Sequence, residues 1–117
     1  MGQHVQGSAY RVETRMGTRW IGVRVSGEFD LDCEIAAGEL VAEALDENPL
    51  AGALTLDLSE CTFFNSSGMR FIAGIYARCL LGDIAVDLRS SPCVERVLAL
   101  TDTDTMLSAF EPVTLAA

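Results

Sequence analysis

The most chemically informative stretch of the sequence is a run of four small polar residues: Asn65, Ser66, Ser67 and Gly68. The run lies where an alternating, strand-like segment ends and a helix-like segment begins. The first backbone N–H groups of a helix lack partners and carry the positive end of its dipole, so they attract anions. A phosphate on Ser66 or Ser67 would find those donors, and Gly68 would let a kinase or partner backbone approach closely. The simpler interpretation is that one serine caps the helix.

The other reactive residue types do not assemble a recognisable catalytic site. A serine hydrolase needs G-x-S-x-G and a histidine base, but Phe64 or Asn65 stands where the first glycine belongs. The only histidine, His4, lies in a predicted frayed terminus. Asp57, near the end of a strand, would suit an aspartyl-phosphate receiver, but all eight basic residues are arginine and the lysine of such sites is missing. We therefore predict that the protein is not an enzyme.

No motif for a metal or a cofactor is present in the sequence. Asp30, Asp32 and Glu34 cluster before a predicted helix, but no histidine accompanies them, and capping and dipole effects explain them more simply. Metalloprotease, dinucleotide and phosphate-loop motifs are missing. The cysteines are widely spaced among apolar neighbours, which favours core positions in a reducing compartment: Cys33, Cys61, Cys79 and Cys93.

Length and charge limit the remaining functions. The 117 residues, 50% of them hydrophobic, are enough for one compact domain with its own core. The formal net charge of −9 should repel phosphate backbones and anionic lipids, so we expect neither nucleic acid nor membrane as a partner. No signal peptide or membrane-spanning run is visible, which indicates a cytoplasmic protein. We predict a flexible N-terminus at residues 1–7 and one domain at residues 8–117.

Hydrophobic periodicity predicts an α/β fold in which a mixed sheet begins with a β-hairpin and carries flanking helices. Asp30 or Asp32 can cap the first helix, and Asn48 and Pro49 end it. The predicted elements are strands at 8–14 and 20–25, a helix at 32–46, a strand at 54–64, a helix at 69–81, a strand at 84–88, a helix opened by Ser91 and Pro92, a short helix containing Met106, Leu107 and Phe110, and a last strand at 113–115.

Three stretches resemble the STAS domain, specifically the stand-alone anti-sigma factor antagonists, and the resemblance extends from the opening strands to Phe110. Residues 27–30, GEFD, are similar to the family's G-E-L-D before the first helix. Residues 54–64, LTLDLSECTFF, are similar to its V-x-L-D-L-S-x-V-x-F-I strand, and residues 65–68, NSSG, to its D-S-S-G. Each stretch alone is weak evidence, but together they are fairly specific.

The resemblance implies a bacterial regulator of transcription that switches partners. In the family, the unphosphorylated antagonist binds an anti-sigma factor and frees the sigma factor, and that anti-sigma factor, a serine kinase, phosphorylates the antagonist and ends binding. The phosphoacceptor would be Ser67, the serine directly before the glycine. About 1.5 to 2 added negative charges on an acidic protein would disrupt the interface. We predict that the partner contacts Asp30, Asn65, Ser66, Ser67, Gly68 and Met69.

Asn65 departs from the family pattern, which usually has Asp there, and this puts recognition by the kinase in question. One alternative, which Asn65 favours, is a STAS adaptor subunit of a transporter or stress-signalling complex that is not phosphorylated. Another is a small ligand-binding or nucleotide-binding module that holds a phosphate at the helix start near Ser67. The sequence leaves open which sigma and anti-sigma factors are involved and whether the domain forms a homodimer.

Overall fold

The computed structural model describes residues 2–100, which form three consecutive strands followed by alternating helices and strands. The short helix and the last strand predicted after residue 100 lie outside the described residues. The elements, in chain order, are β1 (Gly2–Gln6), β2 (Tyr10–Met16), β3 (Trp20–Phe29), α1 (Leu31–Glu47), β4 (Ala53–Phe64), α2 (Ser66–Leu81), β5 (Ala85–Ser90) and α3 (Pro92–Leu100).

The strands form one sheet in the order β1-β2-β3-β4-β5. The pairs β1–β2 and β2–β3 are antiparallel, whereas β3–β4 and β4–β5 are parallel and are joined through α1 and α2. Parallel neighbours need such crossover connections, and the helices supply them. The predicted mixed sheet with a hairpin at its start and flanking helices is confirmed.

One face of the sheet forms the hydrophobic core with all three helices. Cross-strand neighbours share a face, and the aligned pairs Val12–Val25 and Ile21–Leu54 are fully or almost fully buried. The helices complete the same cluster with residues spaced three or four apart: Ala37, Leu40, Val41 and Ala44 of α1, Phe71, Ile72 and Ile75 of α2, and Val94 and Leu98 of α3. The core therefore fixes where each helix begins relative to the strand before it.

The opposite face of the sheet carries charged side chains, and no helix within residues 2–100 packs on it. Arg24 lies 3.6 Å from Asp57 and 3.0 Å from Glu60. Asp57 also accepts hydrogen bonds from the backbone N–H and the hydroxyl of Ser59, at 2.9 and 2.6 Å. Partial burial alone would raise the pKa of Asp57, but the Ser59 hydrogen bonds and nearby arginines outweigh it and the net pKa is lowered. This carboxylate therefore stabilises the middle of β4 locally.

The first strand, β1, lies within residues 1–7 and is not among the predicted strands. Gly2–Gln6 pair with β2 in antiparallel register, with Val5 opposite Val12. All five residues are exposed, and Val5 is the only large apolar one. Periodicity could not reveal this strand, because its pairing comes from backbone hydrogen bonds at an edge rather than from a buried face.

Three of the four cysteines lie in the core, as the sequence predicts, and Cys93 is half-buried. All four are free thiols. Burial raises the pKa of Cys33 and Cys61 to about 12 and that of Cys79 to about 11. Because the thiolate is the reactive form, these three side chains act as small packing residues.

Two bulges adjust the pairing of β3 with β4. Arg24 is opposite Asp57, but Ser26 is opposite Glu60, so β4 holds one extra residue there. A second register shift follows Gly27, which has a φ of +87° and whose missing side chain avoids the carbonyl oxygen of Ala9. The two strands consequently finish level, with their last residues opposite each other.

Candidate functional site

The N-termini of α1 and α2 lie side by side at the edge of the sheet that is formed by the carboxyl ends of β3 and β4. Phe29 ends β3 and is aligned with Phe64 at the end of β4, and their rings meet edge to face with centroids 5.7 Å apart. The residue that follows each strand is the N-cap of a helix: Asp30 caps α1 and Asn65 caps α2. The parallel pairing thus brings the predicted site residues from two distant parts of the sequence to the same edge.

Asn65, and neither serine, caps α2. Its side-chain oxygen accepts a hydrogen bond of 2.9 Å from the backbone N–H of Ser67. The interpretation that one of the serines is the cap is therefore wrong, and α2 begins at Ser66, three residues before the predicted start. Asn and Asp are equally good caps. The Asn65 departure from the family pattern accordingly keeps the helix start and removes a negative charge.

Ser67 lies under the side chain of an arginine that sequence reasoning missed. The residue is 4% exposed, and its Oγ accepts a hydrogen bond of 3.2 Å from Nη2 of Arg70. The same guanidinium donates to both carboxylate oxygens of Glu34 on α1, at 2.9 and 3.2 Å. This hydrogen-bonded pairing raises the pKa of Arg70. Ser67, Arg70 and Glu34 thus form a continuous polar link between the two helices.

Asp30 is the N-cap of α1. It is one of the two residues that the sequence offered for this role, the other being Asp32. The side-chain oxygen of Asp30 accepts from the backbone N–H of Cys33 at 3.2 Å. The acidic cluster that the sequence shows here is spread around the first turn, where Asp32 is exposed and Glu34 pairs with Arg70. Among residues 2–100, no group of three or more potential metal-ligating side chains is placed to hold an ion.

The remaining predicted contact residues differ in how much they face solvent. Ser66 is exposed and Met69 is half-buried against the core. Gly68 is buried, and a Cβ there would overlap the ring of Phe64. The close neighbour that requires a glycine is therefore an aromatic ring of the same chain, whereas the sequence prediction assigned that place to an approaching partner.

The solved structures that are similar to the chain include two anti-sigma factor antagonists. The first, the anti-sigma factor antagonist SpoIIAA in its unphosphorylated form, has a TM-score of 0.67 and 17% identity over 86% of this chain and 83% of its own. The second, an anti-sigma factor antagonist from Mycobacterium paratuberculosis, has a TM-score of 0.61 and 29% identity over 84% of this chain and 82% of its own. The chain has the fold of the anti-sigma factor antagonists. No protein-family model and no curated protein matches the sequence.

This likeness confirms the predicted resemblance to the stand-alone STAS domains of the antagonists. It also supports a regulatory role in general, since both similar proteins are antagonists by name. No helix in the described part of the chain is long and apolar enough to cross a membrane.

An apolar patch, made up of Leu31 and Ile35, lies at the start of α1 in this antagonist fold. Their exposed fractions are 57% and 55%, and the two residues are one turn apart on the helix. Phe63 is exposed as well, but it precedes the buried Phe64 in β4 and therefore points to the opposite face of the sheet. Exposed apolar side chains grouped beside polar ones are typical of protein interfaces. The sequence signal for this patch was the pair of apolar residues that lie off the buried stripe of α1.

Proposed function

We propose that the protein is an anti-sigma factor antagonist controlled by phosphorylation of Ser67. Its unphosphorylated form binds an anti-sigma factor in the cytoplasm and thereby releases a sigma factor. The same partner, acting as a serine kinase, modifies Ser67 and ends binding. The observation that carries the proposal is the position of Ser67, in the first turn of a helix without acidic residues there, within a chain that has the antagonist fold.

The phosphoryl transfer needs a donor and a base, both of which the kinase would bring. Oγ of Ser67 attacks the γ-phosphorus of ATP bound to the kinase, the new O–P bond forms as the bond to the bridging oxygen breaks, and ADP leaves. The hydroxyl proton passes to a carboxylate of the kinase. Because Ser67 is almost fully covered and contacts Arg70, the kinase has to displace that side chain first.

The patch explains why phosphorylation would end binding. A partner that covers Leu31 and Ile35 removes apolar surface from water, which favours association. A phosphoserine nearby adds about 1.5 to 2 negative charges that the same partner would have to desolvate.

Affinity capture from native lysate tests the proposal with four forms of the protein: wild type, Ser67→Ala, Ser67→Glu and Thr18→Glu. Thr18 is exposed in the turn before β3, at the opposite edge of the sheet, so its variant adds the same charge away from the site. We expect wild type, Ser67→Ala and Thr18→Glu to recover an anti-sigma factor of the serine-kinase class. Ser67→Glu should recover at least tenfold less. Equal recovery of that partner by all four would contradict control at Ser67.

Two features favour the adaptor as a second candidate function. Ser67 is buried in the unmodified protein, and the neutral Asn65 stands where the family's carboxylate belongs. An adaptor would recover one transporter or stress-signalling component with all four forms and would show no phosphate on Ser67 by mass spectrometry. The nucleotide-binding alternative predicts instead a rise in thermal stability with millimolar nucleotide, because a ligand far above its Kd stabilises the folded state.

A further inference from the structure

We propose that Arg70 reports the phosphorylation state of Ser67 to α1. It pairs with Glu34 while Ser67 is unmodified, and it transfers to the phosphate when Ser67 is phosphorylated. The proposal rests on the proposed function, since it concerns the modified form of the same serine. It assigns to Arg70 a positioning role that neither the family motif nor the sequence analysis indicates.

The contacts of Arg70 show that the exchange needs only a small movement. Its Nη2 already contacts both Oγ of Ser67, at 3.2 Å, and the carboxylate of Glu34, at 2.9 Å. The arginine side chain is 57% exposed, so the guanidinium has room to move toward Ser67. A phosphate on Oγ of Ser67 would therefore lie within reach of the guanidinium of Arg70, which already directs an N–H donor toward that oxygen.

Charge favours the phosphate over Glu34 as the partner of Arg70. A phosphoserine carries close to two negative charges at neutral pH and offers three acceptor oxygens, whereas Glu34 carries one charge. Guanidinium groups bind phosphates through two parallel N–H donors, which adds geometric preference to the charge. The two acceptors compete for the same donor atoms, so pairing with the phosphate weakens the link to Glu34.

The loss of this link would change α1 at one end only. A second ion pair joins the same two helices further along, with Nη2 of Arg78 2.9 Å from a carboxylate oxygen of Asp46. Between the two pairs lies an open groove of about 240 Å³ that passes Gly38 and Gly74. Phosphorylation would thus release the first turn of α1, which carries Leu31, from α2. The C-terminal end of α1 would stay joined to α2 through Asp46 and Arg78. The phosphate signal would reach the apolar patch through Glu34.

A phosphate titration tests the exchange without a kinase. Phosphoserine is incorporated at position 67 during translation, and ³¹P NMR follows its second ionisation, which has an ordinary pKa of about 6. The charged groups around it are Asp30 and Glu34 from α1 and Arg70 on α2. Arg70→Gln should raise the phosphate pKa by about half a pH unit or more, because an adjacent cation favours the dianion. Glu34→Gln should lower it, since Arg70 then has no competing carboxylate.

Arg78→Gln is the matched control, because it removes an arginine of the same helix that pairs with α1 but does not contact Ser67. Its phosphate pKa should equal that of the wild-type phosphoprotein. Arg70→Lys keeps the charge without the forked donors, should give an intermediate value, and replaces Arg70→Gln if that variant does not fold. A phosphate pKa that is the same with and without the Arg70 guanidinium would overturn the proposal. Failure to capture a kinase partner would count against the proposed function alone, since the phosphate here is installed without one.

Discussion

The N-termini of α1 and α2 lie at the same edge of one sheet but differ in charge. Asp30 caps α1, and Asp32 and Glu34 follow in its first turn, whereas Asn65 caps α2, whose first turn has no acidic residue. Carboxylates near a helix N-terminus offset the positive end of its dipole. The start of α1 is thus already neutralised by its own sequence, while the start of α2 can still accept an added negative charge. Ser66 and Ser67 lie at the second of these positions.

Glycine substitutions should give the largest difference between the two helices. Gly68→Ala at the start of α2 should lower the free energy of unfolding by about 2 kcal/mol, because the new methyl group would overlap the ring of Phe64. Gly38→Ala in α1 meets open space and should raise it by about 0.5 to 1 kcal/mol. Urea unfolding of both variants measures the effect. Equal stability of the two would show that Phe64 moves aside.

The exposed patch should affect binding rather than folding. Replacing Leu31 and Ile35 together by serine should weaken binding to the captured partner at least tenfold, which is about 1.4 kcal/mol, because their apolar surface is lost from the interface. Leu50→Ser is the control, since Leu50 is 62% exposed beyond the other end of α1. Calorimetric titration measures the affinity and thermal unfolding the stability. An unchanged affinity would place the interface elsewhere.

Removing either N-cap side chain should lower the free energy of unfolding by a similar amount, which is smaller than the effect of Gly68→Ala. Asn65→Ala and Asp30→Ala should each lower the free energy of unfolding by about 1 kcal/mol, because one backbone N–H at each helix start loses its acceptor. Ser66→Ala, at the exposed first position of α2, should change it by less than about 0.5 kcal/mol. Chemical unfolding measures these free energies. If only the Ser66 variant were destabilised, a serine would be the cap of α2.

Exchanging the two caps should give the smallest effect and isolate the charge. Asn65→Asp should stabilise the protein by roughly 0.3 to 1 kcal/mol through the dipole of α2, and the gain should fall with added salt. It should also disappear as the pH falls below about 4, where an aspartate takes up its proton. Asp30→Asn should change stability in the opposite direction. Unfolding is measured at two salt concentrations and at pH 7 and pH 3. If the stability difference between Asn65→Asp and wild type changed with neither salt nor pH, it would not come from the charge.

Much of the fold followed from local patterns because its central elements bury one face. Alternating apolar residues gave β3 and β4, and residues spaced three and four apart gave α1. The pattern could not reveal β1, whose residues are all exposed and whose pairing depends on the backbone. It also misplaced the start of α2, because the first turn is made of small polar residues whose helical state depends on the Asn65 cap.

Only the residues of the candidate site that belong to a recognisable motif were predicted from the sequence. The serines and Asp30 come to one edge because β3 and β4 are parallel, which the strand–helix–strand order implied. Arg70 was missed because its partner Glu34 is 36 residues away and belongs to another helix. Likewise, the packing of Phe64 on Gly68 depends on the direction of a ring that no residue spacing reveals.

The two bulges between β3 and β4 restrict how the sequence can change in length. They let β4 contain two more residues than the matching part of β3 while both strands finish level, so the helix starts stay aligned. Deleting one residue from β4 between Leu58 and Phe63 would remove one of these two extra residues, so that either a bulge and its local twist are lost or Ser67 is drawn back along the strand by about 3.3 Å relative to Asp30. In the second case the deletion would also turn the side chains that follow it to the opposite face. Insertions and deletions should therefore be tolerated in the turn after Met16 long before they are tolerated in this part of β4.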